Sequence, residues 1–174
     1  ADREFDVPIS IATGILVKDA LTEVFNLDSI KLKWPNDLVF EKKKIGGILV
    51  EKEVFSNYTK AIVGIGINLE LDKKESWWGD FGDLNGKNLR DKIINKILVK
   101  FEALFRDGLS DWKNLWNQSC IHNDAIISVS RNDEIIKGKY LGINDSGELL
   151  LEKEIGEIIS FSSGEVSIKG IYNR

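Results

Sequence analysis

Cysteine and histidine occur once each, at Cys120 and His122, and methionine not at all. One cysteine excludes a disulfide framework. One cysteine and one histidine leave no zinc cluster and no second imidazole for a proton relay. Residues two apart do not face each other on a helix, so Cys120-Ile121-His122 reads as a helix-end coincidence. No apolar run approaches the ~20 residues that span a bilayer. No charged segment leads into an apolar one, as a secretory signal requires. Without that signal, the sequons at Asn57, Asn117 and Asn144 read as unglycosylated. These absences together point to a reducing, cytoplasmic setting. Positive charge is in deficit, with 24 Lys and Arg against 28 Asp and Glu. The resulting net charge of −4 argues against a nucleic-acid-binding surface over the whole molecule, so DNA binding is not supported.

What the chain does have is an ordinary apolar fraction, 43%, enough for a core in its 174 residues. Residues 8–26 carry an i+4 row, Ala12, Leu16, Ala20 and Val24, which predicts a helix. Residues 30–33, 38–40, 45–54 and 58–69 read as strands, with a charged turn over 41–44. Residues 70–87 are polar and Gly-rich, a loop long enough to suggest function. Helix resumes after Asn88, a candidate N-cap, with Leu89, Ile93, Ile97, Phe101 and Phe105 on one face and Gly108 as its stop. Ser110 is placed to cap a shorter helix. After about residue 122 the texture changes to short strands separated by turn signals at close spacing, which reads as a small β-barrel or sandwich. A domain boundary is therefore expected at 121/122, giving units 1–121 and 122–174.

The stretch "KWPNDLVFEKKKIGGILVE", residues 33–51, is the densest in chemistry. Pro35 removes a backbone donor and ends a strand. That leaves Lys33 as a fixed cation at a sheet rim, with Asn36 and Asp37 supplying an amide and a carboxylate beside it. Lys44 adds a second cation, and Gly46-Gly47 opens the next strand with no side chains, so a ligand or another backbone can approach closely. This set suits a small molecule bearing phosphate or carboxylate. A solvated surface hairpin is the plainer reading. In "VGIGIN", residues 63–68, the glycines lack the third member and the following helix of a dinucleotide fingerprint. They read instead as room for close packing over a strand, or as a bulge, with Asn68 as a polar handle.

"KWPND", "KIGGILVE" and "VGIGIN", in that order and spacing, resemble the biotin protein ligases (biotin–[acetyl-CoA-carboxylase] ligases). The upstream "ISIATGILVKDAL" and the terminal "SGEVSIK" fit the same family. The resemblance implies an α+β fold: a mixed sheet with packed helices, as in class II synthetase-like ligases, followed by a small SH3-like β-barrel. It implies activation of biotin by ATP with Mg²⁺ to biotinyl-5'-AMP, then transfer to a lysine of the biotin carrier domain of a carboxylase. A homodimer is a further partner the family allows, and no membrane is implied. Catalytic roles fall to Lys33 and Asp37, and contacts to biotin or adenylate to Lys44, Gly46, Gly47 and Asn68. Asn36, Trp77, Trp78, Glu165 and Lys169 are implied nucleotide contacts, although an arginine is common where Lys169 stands. The resemblance suits Asp37 to orienting Lys33 or a Mg²⁺, and assigns no metal-ligand set. The family's Gly-Arg-Gly-Arg phosphate loop is absent from these residues. The chain is thus expected to match the second half of the catalytic domain plus the C-terminal domain, and to be inactive alone. Two other readings are a non-catalytic binding or dimerisation module that kept the fold, and a lipoate-type ligase, which "KWPND" with "KIGGILVE" disfavours.

Overall fold

The computed structural model describes residues 7–72, 75–84, 86, 88–132, 134–163 and 167–169. Helix α1 (Ile9–Phe25) starts where Ala12 N–H donates to the Pro8 carbonyl and stops at Asn26, whose φ of 54° is left-handed. Its predicted apolar row lies against a four-stranded antiparallel sheet ordered β1 (Lys31–Lys33), β2 (Asp37–Phe40), β3 (Lys43–Val54), β4 (Thr59–Ile67). Between β2 and β3 the chain reverses at Glu41 and Lys42, both at positive φ (49° and 60°), the geometry of a two-residue hairpin turn. The turn is shorter than the 41–44 expected, so Lys44 belongs to β3. The Trp34–Pro35 peptide, which ends β1, is cis.

Helix α2 (Leu89–Asp107) buries Leu89, Ile93, Ile97 and Leu104. Phe105, expected on that face, is 56% exposed. An i+4 row overshoots a full turn by about 40° per step, so after four steps it has left the buried stripe and Leu104 takes its place. Asn88 precedes α2 at φ 61° with no side-chain cap, and Asp111, rather than Ser110, precedes α3 (Trp112–Ser119) in the same uncapped way. Both capping expectations fail: with these residues in the left-handed region, the extended cap geometry is not available. No helix among the described residues is long and apolar enough to cross a membrane.

The remaining strands, β5 (Ile126–Arg131), β6 (Glu134–Ile143), β7 (Leu149–Glu152), β8 (Ile158–Phe161) and β9 (Ser167–Lys169), form an antiparallel sheet in the order β8-β7-β6-β5-β9. The barrel expected here is open among the described residues, because β8 and β9 share no pairing. A single cluster of buried residues runs through both sheets. At the junction Trp34 is 1% exposed and its indole Nε1 donates to the Gly147 carbonyl at 3.0 Å. Gly147 holds φ 78° in the β6–β7 turn, and a Cβ there would meet Pro8 and Ile11 at 3.1 Å. Trp116 of α3 donates from Nε1 to the Tyr140 hydroxyl of β6 at 3.0 Å, and Ile121 N–H donates to the Leu32 carbonyl at 2.8 Å. Burying one aromatic of this size contributes on the order of 2–3 kcal/mol. The junction is therefore an energetic centre of the chain rather than a linker.

Candidate functional site

Strand register lines up four residues across the first sheet. Lys33 pairs with Asp37, Asp37 with Gly47, and Gly47 with Gly66. Directly paired residues project to the same face. One row therefore reads cation, carboxylate, bare, bare. Diagonal to it, Gly64 pairs with Leu49 on the same face.

Lys44 joins this face through a bulge. Register slips between Leu38 and Val39, which pair with Gly46 and Lys44 and leave Ile45 as the extra residue on β3. One inserted residue re-aims every side chain beyond it. Without it Lys44 would sit opposite Phe40 and point to the helices. With it, Lys44 Nζ reaches Asp37 Oδ1 at 2.5 Å, while Lys33 Nζ lies 3.6 Å from Asp37 Oδ2. The side chains of Lys33 and Asp37 are 10% and 12% exposed, and that of Lys44 32%. Two ammoniums thus face one carboxylate in a poorly hydrated corner, where charge acts with more force than in water.

The glycines divide by cause. A Cβ on Gly46 would stand 2.4 Å from the Gly66 carbonyl oxygen, so Gly46 is demanded by neighbouring backbone. Gly47, Gly64 and Gly66 meet nothing closer than 3.5 Å. Each glycine inside a strand costs about 0.5–1 kcal/mol, and at these three positions nothing in the chain's own packing requires it. They leave a side-chain-free floor beside the two lysines. The strands are paired without irregularity over 59–67, so the bulge considered for "VGIGIN" is absent there.

The amides serve the frame. Asn36 Nδ2 donates to the Ile48 carbonyl at 2.7 Å, and Ile48 N–H returns a bond to the Asn36 carbonyl at 2.9 Å. Asn68 Nδ2 donates to the carbonyls of Lys44 (3.4 Å) and Gly79 (3.0 Å). Lys44 is gripped from the loop as well. Its N–H donates to the Trp77 carbonyl, and its carbonyl accepts from Gly79 N–H, both at 2.9 Å. Phe81 is 1% exposed and stacks on Phe25 with ring centroids 4.0 Å apart. Asp80 accepts from Leu71 N–H and Gly82 N–H. The expectation of a structureless 70–87 therefore fails for its second half, where a buried aromatic and a backbone bridge to β3 outweigh the polar composition. Trp77 and Trp78 are half-buried and meet edge to face, centroids 5.4 Å apart.

Glu165 lies outside the described residues, and of Lys169 the structure gives the backbone of β9 alone. No cluster of three metal-ligating side chains occurs among the described residues.

Sequence reasoning missed His122. It is 1% exposed, its ring centroid lies 5.8 Å from that of Tyr140, and its Nε2 has no hydrogen-bond partner. Burial, then the Lys33 charge, hold its pKa down at about 4. Past the end of α3, where helical spacing does not apply, the Cys120 thiol meets the backbone of His122 rather than its ring. Burial raises the Cys120 pKa and lowers that of His122, so both are neutral and no thiolate–imidazolium pair forms.

Two family models match the chain: the Biotin/lipoate A/B protein ligase family over residues 11–68 and the Biotin protein ligase C terminal domain over 126–169. The Bifunctional ligase/repressor BirA of Salmonella typhimurium is 28% identical over 173 residues, covering 94% of this chain and 53% of that protein. The Biotin--[acetyl-CoA-carboxylase] ligase of Mycobacterium tuberculosis is 25% identical over 186 residues, covering 94% and 65%. A crystal structure of biotin protein ligase from Aquifex aeolicus superposes with a TM-score of 0.73 at 25% identity, covering 92% of this chain and 73% of that one. The same ligase in complex with biotin and ATP gives 0.71 at 23% identity, covering 97% and 73%. The chain spans about half the length of the BirA relatives it matches.

Proposed function

The chain belongs to the biotin protein ligase family, and from that premise we propose that the Lys33–Asp37–Gly47–Gly66 row is the adenylate-forming face of a biotin ligase. The observation that carries the proposal is a pair of lysines gathered on one carboxylate beside a strand floor with no side chains. In this reading the biotin carboxylate attacks the α-phosphorus of ATP, the bond to pyrophosphate breaks, and biotinyl-5'-AMP forms. Oxyanions crowd together in that step. Lys33, nearly enclosed, offsets them where they concentrate. Lys44 reaches the bound biotin and adenylate from the open side. Asp37 orients both lysines. The ligand lies along Gly47, Gly64 and Gly66, while Asn36 and Asn68 keep the floor and the loop in place. Trp77 and Trp78 supply an aromatic face for adenine at the loop's anchored end. The carrier-domain lysine then attacks the acyl carbon and releases AMP.

Asp37 already faces two ammoniums, which does not suit it to hold a resident cation, so Mg²⁺ is assigned to MgATP and no step is routed through it. We place the domain boundary at 121/122, the site of action in the cytoplasm, and Glu165 and Lys169 on the ATP side. We also propose that these 174 residues alone do not release pyrophosphate from ATP and biotin, because the phosphate loop of the family is not among them.

The test uses this chain labelled with ¹⁵N and titrated with a non-hydrolysable biotinyl-adenylate analogue. The expected result is amide shifts at Gly47, Gly64, Gly66 and Lys44. Shifts confined to other strands, or saturable binding unchanged by Lys33→Ala, would remove the site and favour the non-catalytic module.

A further inference from the structure

Lys44 stands on β3 just beyond the reach of β4, whose pairing stops at Gly46 and Ile67. Its edge is not left open. Residues 77–79 return to it, and Trp78 forms a parallel bridge with Lys44 where a longer β4 would have run. Lys44 N–H donates to the Trp77 carbonyl and the Lys44 carbonyl accepts from Gly79 N–H, so both of its backbone polar groups are served by the loop. The approach is close: a Cβ on Gly79 would stand 2.9 Å from Lys43 Cβ and 3.2 Å from Ile45 Cγ2. Backbone bonds made by a loop open more readily than those inside a sheet, unless the segment is anchored nearby. Three anchors are present. Asn68 Nδ2 donates to the carbonyls of Lys44 and Gly79. Phe81 N–H donates to the Leu69 carbonyl at 3.2 Å. The Asp80 carboxylate accepts from Leu71 N–H at 2.9 Å and from Gly82 N–H at 3.3 Å. Bonds to a carboxylate are about twice as strong as neutral ones, and Asp80 directly follows Gly79.

We infer that Asp80 is a positioning residue for Lys44: by tying the chain at Leu71 to Gly82, it holds residues 77–79 against the Lys44 backbone and so sets where the Lys44 ammonium stands. The carboxylate acts through the loop and not on substrate. The support matters at this place because Ile45, next to Lys44, is the extra residue of the bulge and has no partner position on β2. The aim of Lys44 is therefore held from the other edge of β3. The catalytic meaning of the arrangement rests on the ligase reading above, but the contact itself is measured without ligand.

The experiment follows amide hydrogen exchange in the ¹⁵N-labelled 174-residue chain. Asp80→Ala is expected to speed exchange at Leu71, Gly79 and Lys44 by about tenfold or more, the effect of losing bonds to a charged acceptor, and to shift the ¹⁵Nζ resonance of Lys44. Ile48 N–H, which donates to the Asn36 carbonyl on the β2 side, is the internal control and should not change. Native exchange at Lys44 in this variant, whatever Leu71 does, would overturn the inference. Asp80→Asn keeps one acceptor oxygen and covers an alanine variant that does not fold. In it Lys44 is expected to follow Leu71, and a Leu71 amide that speeds up alone would also overturn the inference. A cycle with Gly79→Ala separates positioning from a general loss of stability, since its methyl lifts the loop from β3 by itself. Adding Asp80→Ala to Gly79→Ala should then raise Lys44 exchange little further, and full additivity would show that Asp80 acts by another route. The two readings fail separately. A Lys44 amide that responds to Asp80→Ala in a chain that binds no adenylate analogue upholds the positioning role and refutes the ligase site. Analogue binding with an unresponsive Lys44 amide does the reverse.

Discussion

Among single residues, Lys33 and His122 carry the sharpest consequences. In a protein with the whole catalytic domain, Lys33→Ala is expected to slow adenylate formation about 10²-fold or more, and by more than Lys44→Ala, because Lys33 is the more enclosed of the two cations. Single-turnover rates compare them directly. A Lys33→Ala rate near that of the unsubstituted protein would end its assignment. His122 bears on stability. Its folded pKa of about 4 lies below the unfolded value, so between pH 6.5 and 4 the unfolded chain binds the proton that the folded chain refuses. The stability His122 permits is whole above pH 6.5 and falls by about 3 kcal/mol toward pH 4. Glu23 is held down to about 2 by hydrogen bonds from Lys100 and Lys96, so its contribution is kept until the pH drops below the ordinary carboxylate range. The window from pH 6.5 to 4.5 therefore isolates the histidine. Urea unfolding across it should slope steeply in the native chain and be nearly flat in His122→Gln. Equal slopes would place the titration elsewhere.

At the level of strands and loops, two adjacent glycines separate folding from binding. Gly46→Ala drives a methyl into the Gly66 carbonyl of the neighbouring strand and toward Leu38, and is expected to cost about 1–3 kcal/mol. Gly47→Ala meets only the flexible end of Lys44 and the Asp37 carboxylate, so melting should change little while affinity for an adenylate analogue falls. Thermal melts and calorimetry on the pair decide it, and a Gly47→Ala chain that binds normally would take the ligand off the floor. The same strands show what a sequence can reveal. Pro35, the apolar alternation and the turn residues made the hairpins legible, since each acts through its own backbone. The Ile45 bulge was not legible, because it depends on which residue of β2 faces β3. That bulge decides the face on which Lys44 stands. His122 was invisible for a similar reason. Its setting is made by β1 and β6, and nothing in "CIHND" records either. Phe81 was hidden by its polar neighbours, although Phe25 and Phe40 fix it in the core.

Across the whole molecule, the two sheets are joined through the motif that carries the site. Trp34 stands between Lys33 and Pro35, yet its indole bonds the β6–β7 turn. Trp34→Phe should lower stability by about 1 kcal/mol through the lost indole bond, and Trp34→Ala by about 3–5 kcal/mol through the cavity. Hydrogen exchange at Gly147 and Lys33 should rise together in both variants. Protection lost at Gly147 alone would show that the junction does not bear on the site. That turn is itself braced: Asn144 Oδ1 accepts from Ser146 N–H and Glu148 N–H, its Nδ2 donates to Glu148, and Ser162 donates to the other Glu148 oxygen. The indole bond from Trp34 to Gly147 also bears on how such a protein can be recombined. A crossover that exchanged the C-terminal strands between two relatives would inherit one parent's tryptophan and the other's turn. A hybrid whose incoming turn cannot offer its carbonyl at that spot should misplace the lysine next door, and the resulting defect would read as catalytic although the turn that caused it lies outside the site.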